Sequence, residues 1–309
     1  MRMHELKEAF KIGHLTKADY IEQMHVHHAH LFEYADFLKD TDIKKIEITD
    51  RAVIMTSRSS DIKLICDKDD KRIIPIEILN FDQYENDNMK MLRQLIEDGD
   101  TVFDIGGNIG WYSLNIAKMK AVTVCTFEPI PKTYSYLSQN IKLNNIETIH
   151  TFNIGFSKQE DVLNFYYNAT GSGNASLANL SGQNNTQEIS CRVRTLDGFM
   201  AEEGFSVDFI KCDVEGAELF VFQGGVQSIS KYKPVIFAEL LRKWAAKFHY
   251  HPNDVIQFLK NFGYRCFTAK DAKLTEFFTM DDKTVENNFF FLHDSKHHSQ
   301  IQRLVHGIS

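Results

Sequence analysis

Asp104-Ile105-Gly106-Gly107-Asn108-Ile109-Gly110 is the stretch on which the reading of this chain turns. The apolar run Thr101-Val102-Phe103 leads into it and reads as a buried strand. Trp111, Leu114, Asn115 and Lys118 lead out of it at helical spacing. A strand that turns on glycines into a helix N-terminus is a ligand cradle. Glycine lets backbone approach the ligand closely, and the turn presents unpaired N–H groups.

Outward from this turn the pattern alternates. A second strand, 122–127, ends at Glu128-Pro129, a helix from Pro131 carries Tyr134, Leu137 and Ile141, and a third strand lies near 148–154. The order resumes with a strand over 207–212, ended by Asp213-Val214-Glu215-Gly216, and a helix carrying Leu219, Phe222 and Val226. A strand over 234–238 follows, ended by Glu239, then a helix from Pro252 that stops at Gly263. Two further strands, 264–268 and 288–292, close the pattern. This predicts an α/β fold built on an open, doubly wound, mostly parallel sheet of the Rossmann-like kind. Between 154 and 207 the alternation breaks. Val162–Tyr167 and Ile189–Val193 read as two strands joined by a Gly-, Asn- and Ser-rich segment, 168–187. A loop of that length is either a lid or binding loop, with Ser176 a candidate substrate contact, or a mobile hairpin tip.

The flanks have a different character. Residues 1–42 read as a helical segment in which Thr16-Lys17-Ala18-Asp19 resembles a capping box with Asp in place of Glu. Ile21, Met24, His28, Leu31, Ala35 and Leu38 then follow 3/4 spacing, a short seam that packs on the main domain or on a second copy, making a homo-oligomer. His25, His27, His28 and His30 lie on this helix with no Cys or carboxylate completing a metal set nearby, so they read as solvated or seam-lining. Residues 43–83 read as a small antiparallel β platform with short strands at 43–48, 52–55, 62–65 and 73–76. The main domain then occupies 84–295, and 296–309 reads as a polar tail.

Composition narrows the classes. The chain has 309 residues, 43% hydrophobic and 25% charged, which is ordinary globular composition. Its formal net charge of -7 and the lack of a long Lys/Arg run argue against a nucleic-acid partner. Cys66, Cys125, Cys191, Cys212 and Cys266 show no metal-ligand spacing and read as free thiols in a reducing compartment. No apolar stretch of eighteen residues occurs and the first residues carry no signal-like apolar region, so the expectation is a cytoplasmic protein without a membrane span. The glycosylation-like triplets at Asn168, Asn174, Asn179 and Asn184 therefore read as a polar loop.

Asp104, Glu128, Asp213 and Glu239 all end strands, where an open α/β sheet binds its ligand. Two cofactor classes fit a glycine turn with an acid after the next strand. A nicotinamide dinucleotide would use Glu128 on a ribose, but the glycines cannot be read as Gly-x-Gly-x-x-Gly, and Asp104 would set a negative charge near the pyrophosphate. S-adenosylmethionine has no phosphates and carries a free amino acid. Asp104 would then orient the loop and the ammonium end, Gly106 and Gly110 would give backbone access, and Glu128 would accept the ribose hydroxyls. A non-catalytic cofactor-binding scaffold is the contrasting reading, and it gives no use to the acids at 213 and 239.

Asp104-Ile-Gly-Gly-Asn-Ile-Gly110, Phe127-Glu-Pro129, Thr195-Leu-Asp197 and Lys211-Cys-Asp-Val-Glu-Gly-Ala-Glu218, in this order and with Gly263-Tyr264 near the end, resemble the FkbM-type class I methyltransferases over roughly residues 84–268. Gly107 departs from the alanine more common there. The resemblance implies a seven-stranded sheet with the last strand antiparallel, S-adenosylmethionine as donor, and methyl transfer to a hydroxyl, often of a sugar. It implies a cofactor set of Asp104, Gly106, Asn108, Gly110 and Glu128, with Asn153 a weaker candidate on the adenine side.

A sugar hydroxyl is a poor nucleophile until its proton is removed, so a general base or a metal is expected. Asp213 and Glu215 are the catalytic candidates. Either Asp213 and Glu239 hold a Mg²⁺ with Glu215 as base, or Asp213 is the base and Glu215 caps the following helix. Lys211, inside an apolar strand, must pair with a carboxylate such as Asp213 or Glu239. Glu239, Arg242, Trp244, His249 and His251 fall where an acceptor would bind, although packing roles suit the last four equally. The expected activity is O-methyl transfer to a small-molecule or glycan-precursor hydroxyl, with a polyketide or lipid hydroxyl as the alternative.

Overall fold

A computed structural model of the chain describes residues 1–167 and 186–306. Ser176 and the asparagines of the four glycosylation-like triplets lie outside the described residues. At the N-terminus, helices α1 (Met3–Lys11) and α2 (Lys17–Phe37) are joined by a Phe10–Tyr20 ring stack with centroids 4.6 Å apart. The Thr16 hydroxyl caps α2, accepting the Asp19 N–H at 3.1 Å. No residue of α2 is buried, and Ile21, Val26, Leu31 and Phe32 are each more than half exposed.

Strands β1 (Ile43–Ile48), β2 (Val53–Ser57) and β3 (Lys63–Cys66) form the expected antiparallel platform. The fourth strand expected at 73–76 is instead the start of helix α3 (Ile74–Phe81). Pro75 stands in its first turn, where a missing N–H leaves nothing unpaired, and Ile74 and Ile78 bury one turn apart. Four apolar residues are too few to separate the two periodicities.

Helix α4 (Asn86–Leu95) leads into β4 (Thr101–Ile105), α5 (Trp111–Met119), β5 (Thr123–Phe127), α6 (Pro131–Asn144) and β6 (Ile149–Phe152). A second small sheet, ordered β7-β9-β8, follows from β7 (Gly155–Phe156), β8 (Asp161–Tyr167) and β9 (Gln187–Arg194). Helix α7 (Leu196–Glu203) precedes β10 (Phe209–Cys212), α8 (Glu218–Gln223), α9 (Val226–Tyr232) and β11 (Val235–Glu239). Gly224-Gly225 divides α8 from α9 where one helix was expected. The motif Thr195-Leu196-Asp197 caps two helices. Thr195 accepts the Gly198 N–H of α7 at 3.0 Å, and the Asp197 carboxylate accepts the Gln227 and Ser228 N–H groups of α9 at 3.0 and 2.7 Å. The chain ends with α10 (Arg242–Ala245), α11 (Pro252–Lys260), β12 (Tyr264–Lys270), β13 (Lys273–Phe277), β14 (Asn288–His293) and α12 (His298–His306).

The main sheet has eight strands in the order β13-β12-β14-β11-β10-β4-β5-β6. From β11 to β6 neighbours are parallel, and β14 runs antiparallel to both its partners. This is an open, doubly wound, Rossmann-like sheet, with β13 as an added edge strand that the sequence pattern had not distinguished. The stretch read as a polar tail contains α12, whose Ile301 and Leu304 are buried at i,i+3. Its Gln300 and Arg303 donate to the carbonyls of Leu95 and Gln94.

The order starts in the middle, at β4, runs outward to β6 and returns on the other side at β10. The switch point thus lies between β4 and β10, where Asp104 is register partner to Lys211. The platform shares the core on one face of this sheet, with Ile43, Met55, Leu64 and Ile78 in one buried cluster with Val102, Leu114 and Leu137. Asn140 joins them, its amide oxygen accepting the Ile65 N–H of β3 at 2.9 Å. Among the described residues no helix is long and apolar enough to cross a membrane.

Candidate active site

The glycine turn is held open by the strand beside it. The N–H groups of Gly106 and Gly107 both donate to the Phe127 carbonyl, at 3.0 and 2.9 Å. Gly106 has φ +79°, and a Cβ there would overlap the Asp213 carbonyl oxygen, so the turn packs directly on the end of β10. A Cβ on Gly107 would overlap the Thr126 hydroxyl, which accounts for glycine where alanine is more common. Asn108, also left-handed at φ +47°, donates its N–H to Glu128 Oε2 at 3.1 Å.

Asp104 lies beneath this turn with no exposure. Its Oδ2 accepts the N–H and hydroxyl of Ser113 at 3.1 and 2.6 Å, placing the carboxylate at the positive end of α5. Its Oδ1 lies 3.3 Å from Lys211 Nζ. Lys211 also donates to the Gly106 carbonyl at 2.8 Å and lies 3.4 Å from Asp213. Burial works to depress the Lys211 ammonium, but Asp213 and Asp104 outweigh it and hold its pKa above the usual lysine value. The two partners of Lys211 are therefore Asp104 and Asp213; Glu239 is not one of them. Asp104 supports the loop from below, its Oδ2 hydrogen-bonded by Ser113 and its Oδ1 ion-paired with Lys211 but without a hydrogen bond.

Above the turn lies a partly open cleft with apolar walls that include Ile105, Phe127, Ile154, Phe156 and Val214. Gly106, Asn108, Glu128, Asp213 and Glu215 supply its polar rim. Glu128 accepts the Asn108 and Ile130 N–H groups, and burial pushes its carboxyl up to about 7. The side-chain oxygen of Asn108 is buried without a hydrogen-bond partner, an acceptor waiting at the cleft wall. Gly110 is not in the lining; at φ +96° it starts α5, and a Cβ would come within 2.9 Å of Leu137. Asn153 is exposed, and its amide donates to the carbonyls of Glu128 and Pro129 at 2.8 and 3.0 Å, which fixes the exit of β5 and keeps that N–H group from the cleft.

Across the switch point the acids divide their work. Glu218, not Glu215, secures the turn before α8: its Oε1 accepts the Val214 and Gly216 N–H groups at 3.1 and 3.0 Å. Burial raises Glu218 to about 7, and the Tyr250 hydroxyl donates to its other oxygen at 3.2 Å. Glu215, at φ +53°, faces the cleft, and burial together with Asp213 and Glu218 raises its carboxyl well above the usual range. Asp213 lines the cleft and also a second, small recess with room for about one water, which includes Glu85, Tyr112, Lys211, Phe237, Glu239 and Asn288. Burial, then Asp213, Glu215 and Glu85, push Glu239 up to about 10.

Asp213 and Glu239 do meet here, but among the described residues no group of three or more His, Cys, Asp or Glu side chains is arranged to hold a metal, and Glu239 Oε1 accepts from Asn287 at 3.0 Å. The expected Mg²⁺ site is not supported by this donor set. Arg242 turns away to the Thr284 carbonyl and Asp282, at 3.3 and 3.8 Å, and His249 is exposed; neither lines the cleft or the recess. Trp244 backs the Gly216 turn, and His251 caps α11. Glu85, Tyr112 and Asn288 were missed. Tyr84-Glu85 reads as a joining segment, and only folding shows that Glu85, at φ +51°, receives the Tyr112 hydroxyl.

A parallel sheet with its switch point at a glycine turn, an acid after the next strand and paired acids across the gap fit the Rossmann-like fold of the class I methyltransferases. The chain belongs to the methyltransferase FkbM domain family, whose model matches residues 104–266. It is 30% identical over 165 residues to the 2-O-methyltransferase NoeI of Sinorhizobium fredii, covering 47% of this chain and 66% of that one. It is 27% identical over 155 residues to the hexuronic acid methyltransferase AglP of Haloferax volcanii, covering 49% and 61%. The chain thus spans less than two thirds of the length of these relatives. The crystal structure of methyltransferase FkbM from Methylobacillus flagellatus KT superposes with a TM-score of 0.42 at 16% identity, covering 63% of this chain and 44% of that one.

Proposed function

We propose that this chain is an S-adenosylmethionine-dependent O-methyltransferase that acts on a hydroxyl of a sugar or glycoconjugate precursor. The observation that carries the reading is the position of Asp213, whose side chain forms part of the wall of both the cleft and the recess. A donor held in the cleft would bring its methyl group towards this carboxylate, where an acceptor hydroxyl would meet it. Glu128 suits the ribose hydroxyls, and Asn108 Oδ1 suits a donor hydrogen of the cofactor, the methionine ammonium included. The bound cofactor would supply an electrophilic methyl group. Asp213, about one third exposed, would accept the acceptor's proton as the O–C bond forms and the S–C bond breaks, with Glu215 beside it as the second candidate. The names of two relatives, a 2-O-methyltransferase and a hexuronic acid methyltransferase, support a sugar hydroxyl as the acceptor.

Incubating the full chain with labelled S-adenosylmethionine and candidate acceptors, followed by mass spectrometry, tests this. The expected result is one labelled methyl group on a sugar hydroxyl. Transfer only to nitrogen, or only to polyketide or lipid hydroxyls, would contradict it.

A further inference from the structure

We infer that Lys211 is a positioning residue of the transfer site: its ammonium joins the cofactor turn to Asp213 and holds that carboxylate charged beside the cleft. This rests on the methyl-transfer reading above, with Asp213 as the base, and deepens it. A lysine inside an apolar strand is costly, so its partners must account for it. Lys211 is 3% exposed in β10, between β4 and β11. Its shortest polar contact runs to the Gly106 carbonyl at 2.8 Å, with Asp104 Oδ1 at 3.3 Å and Asp213 Oδ2 at 3.4 Å. Service to Asp104 alone does not explain this placement. Asp104 Oδ2 already accepts the N–H and hydroxyl of Ser113 at the positive end of α5. The ammonium instead stands closest to the turn and almost midway between two carboxylates. Gly106 is thereby gripped at both ends, its N–H donating to the Phe127 carbonyl at 3.0 Å and its own carbonyl accepting from Lys211. The Asp213 N–H donates to the Ile105 carbonyl at 3.0 Å, so the end of β4, the turn and Asp213 form one hydrogen-bonded unit.

Charge supplies the second half of the argument. Asp213 acts on Glu215 beside it, on Glu218 of α8 and on Glu239 of β11, and it shares the small recess with Glu85 at the start of α4. Among the described residues Lys211 is the cation within 4.0 Å of it. Asp104 of β4 and Glu128 beyond β5 also feel this ammonium, and the Tyr112 ring of α5 lies 5.3 Å from it. A carboxylate crowded by other acids keeps its proton unless a cation offsets them. Glu239 shows the first case: its Oε1 accepts from Asn287 rather than from an ammonium, and burial, Asp213, Glu215 and Glu85 push it up to about 10. Asp213 meets Glu215 and Glu239 too, but with the ammonium beside it.

The test follows the isotope-labelled aspartate carboxyl groups of the full chain by carbon NMR as pH is varied, the Asp213 signal being the one lost in Asp213→Asn. In Lys211→Met the Asp213 titration should move up by about one pH unit or more. S-adenosylhomocysteine should also bind severalfold more weakly, because the Gly106 carbonyl has lost its donor. Lys211→Met leaves Asp104 buried without its cation, so Lys211→Met combined with Asp104→Asn, which removes the pair together, is the second variant should the first fail to fold by its melting curve. There too the Asp213 titration should rise. An Asp213 titration unmoved in the folded variant, with only a lower melting temperature, would make Lys211 a structural residue and overturn the inference, as would an unchanged affinity for S-adenosylhomocysteine. Failure of S-adenosylhomocysteine to stabilise the parent chain would instead overturn the methyl-transfer reading, while the titration still decides whether Lys211 acts on Asp213.

Discussion

Gly106 carries the narrowest steric tolerance in the site. Its φ of +79° and its packing against the Asp213 carbonyl leave no room for a Cβ. Gly106→Ala should therefore destabilise the chain by about 1–3 kcal/mol and weaken cofactor binding, read by urea unfolding and by ligand-induced melting shifts. A variant as stable as the parent would show that the turn can move away from β10. Asp213→Asn should retain the cofactor shift and reduce the transfer rate by about 10²–10⁴-fold, the range for loss of a general base; full activity would take Asp213 out of the chemistry. The buried acids make a pH prediction as well. Glu128 and Glu218 are raised to about 7 and Glu239 to about 10, so the folded chain holds protons that the unfolded chain has released above the ordinary carboxyl range near 4.5. Their stabilising contribution is full below about pH 4.5 and is lost as pH rises, through 7 for the first pair and towards 10 for Glu239. Melting temperature should decline between pH 6 and 9, and Glu239→Gln should flatten the alkaline part of that decline. The residue types at 104, 128, 213 and 239 were legible because acids at strand ends are conspicuous. Their division of labour was not. Which oxygen is engaged by Ser113, Lys211 or Asn287 depends on register between strands distant in sequence.

At the scale of elements, legibility followed periodicity. Strongly amphipathic helices such as α4 and α11 and the strands of the parallel sheet announce themselves in the apolar pattern. The misread pieces are short or sparse. Ile74–Phe81 presents Ile-Pro-Ile, which suits a strand until Pro75 is recognised as a first-turn residue. In α12 only Ile301, Leu304 and Val305 are apolar enough to show an inward face among polar neighbours. Ile301 is fully buried against the core, so Ile301→Ala should cost about 2–4 kcal/mol by chemical denaturation. A negligible change would mean that α12 contributes little to the fold. Helix α2 raises the opposite case. Its apolar stripe was legible, yet Ile21 and Leu31 find no cover within the described chain. We propose that a second copy covers them, and light scattering should then show concentration-dependent association that Leu31→Asp abolishes. A monomer at high concentration would refute this role for the stripe.

At the scale of the whole molecule, the platform of residues 43–81 and the matched family region form one packed body. Ile43, Leu64 and Ile78 share a core with Val102 and Leu137, and Asn140 ties β3 to α6. The fold class was readable because a parallel sheet imposes a regular strand–helix alternation. The packing of the platform was not, because nothing in a local pattern states which face of another element it will meet. The outcome places Glu85, from the segment between platform and sheet, beside the acids of β10 and β11.

The measurement that tests this account most directly is the melting temperature of the full chain with S-adenosylhomocysteine, compared with NAD at the same concentration. Binding to the cleft above Gly106 should stabilise the chain by about 2.7 kcal/mol at a hundredfold excess over Kd, a rise of several degrees, with no rise for NAD and a clear loss in Gly106→Ala. No shift with the sulfur cofactor, or an equal shift with NAD, would contradict it.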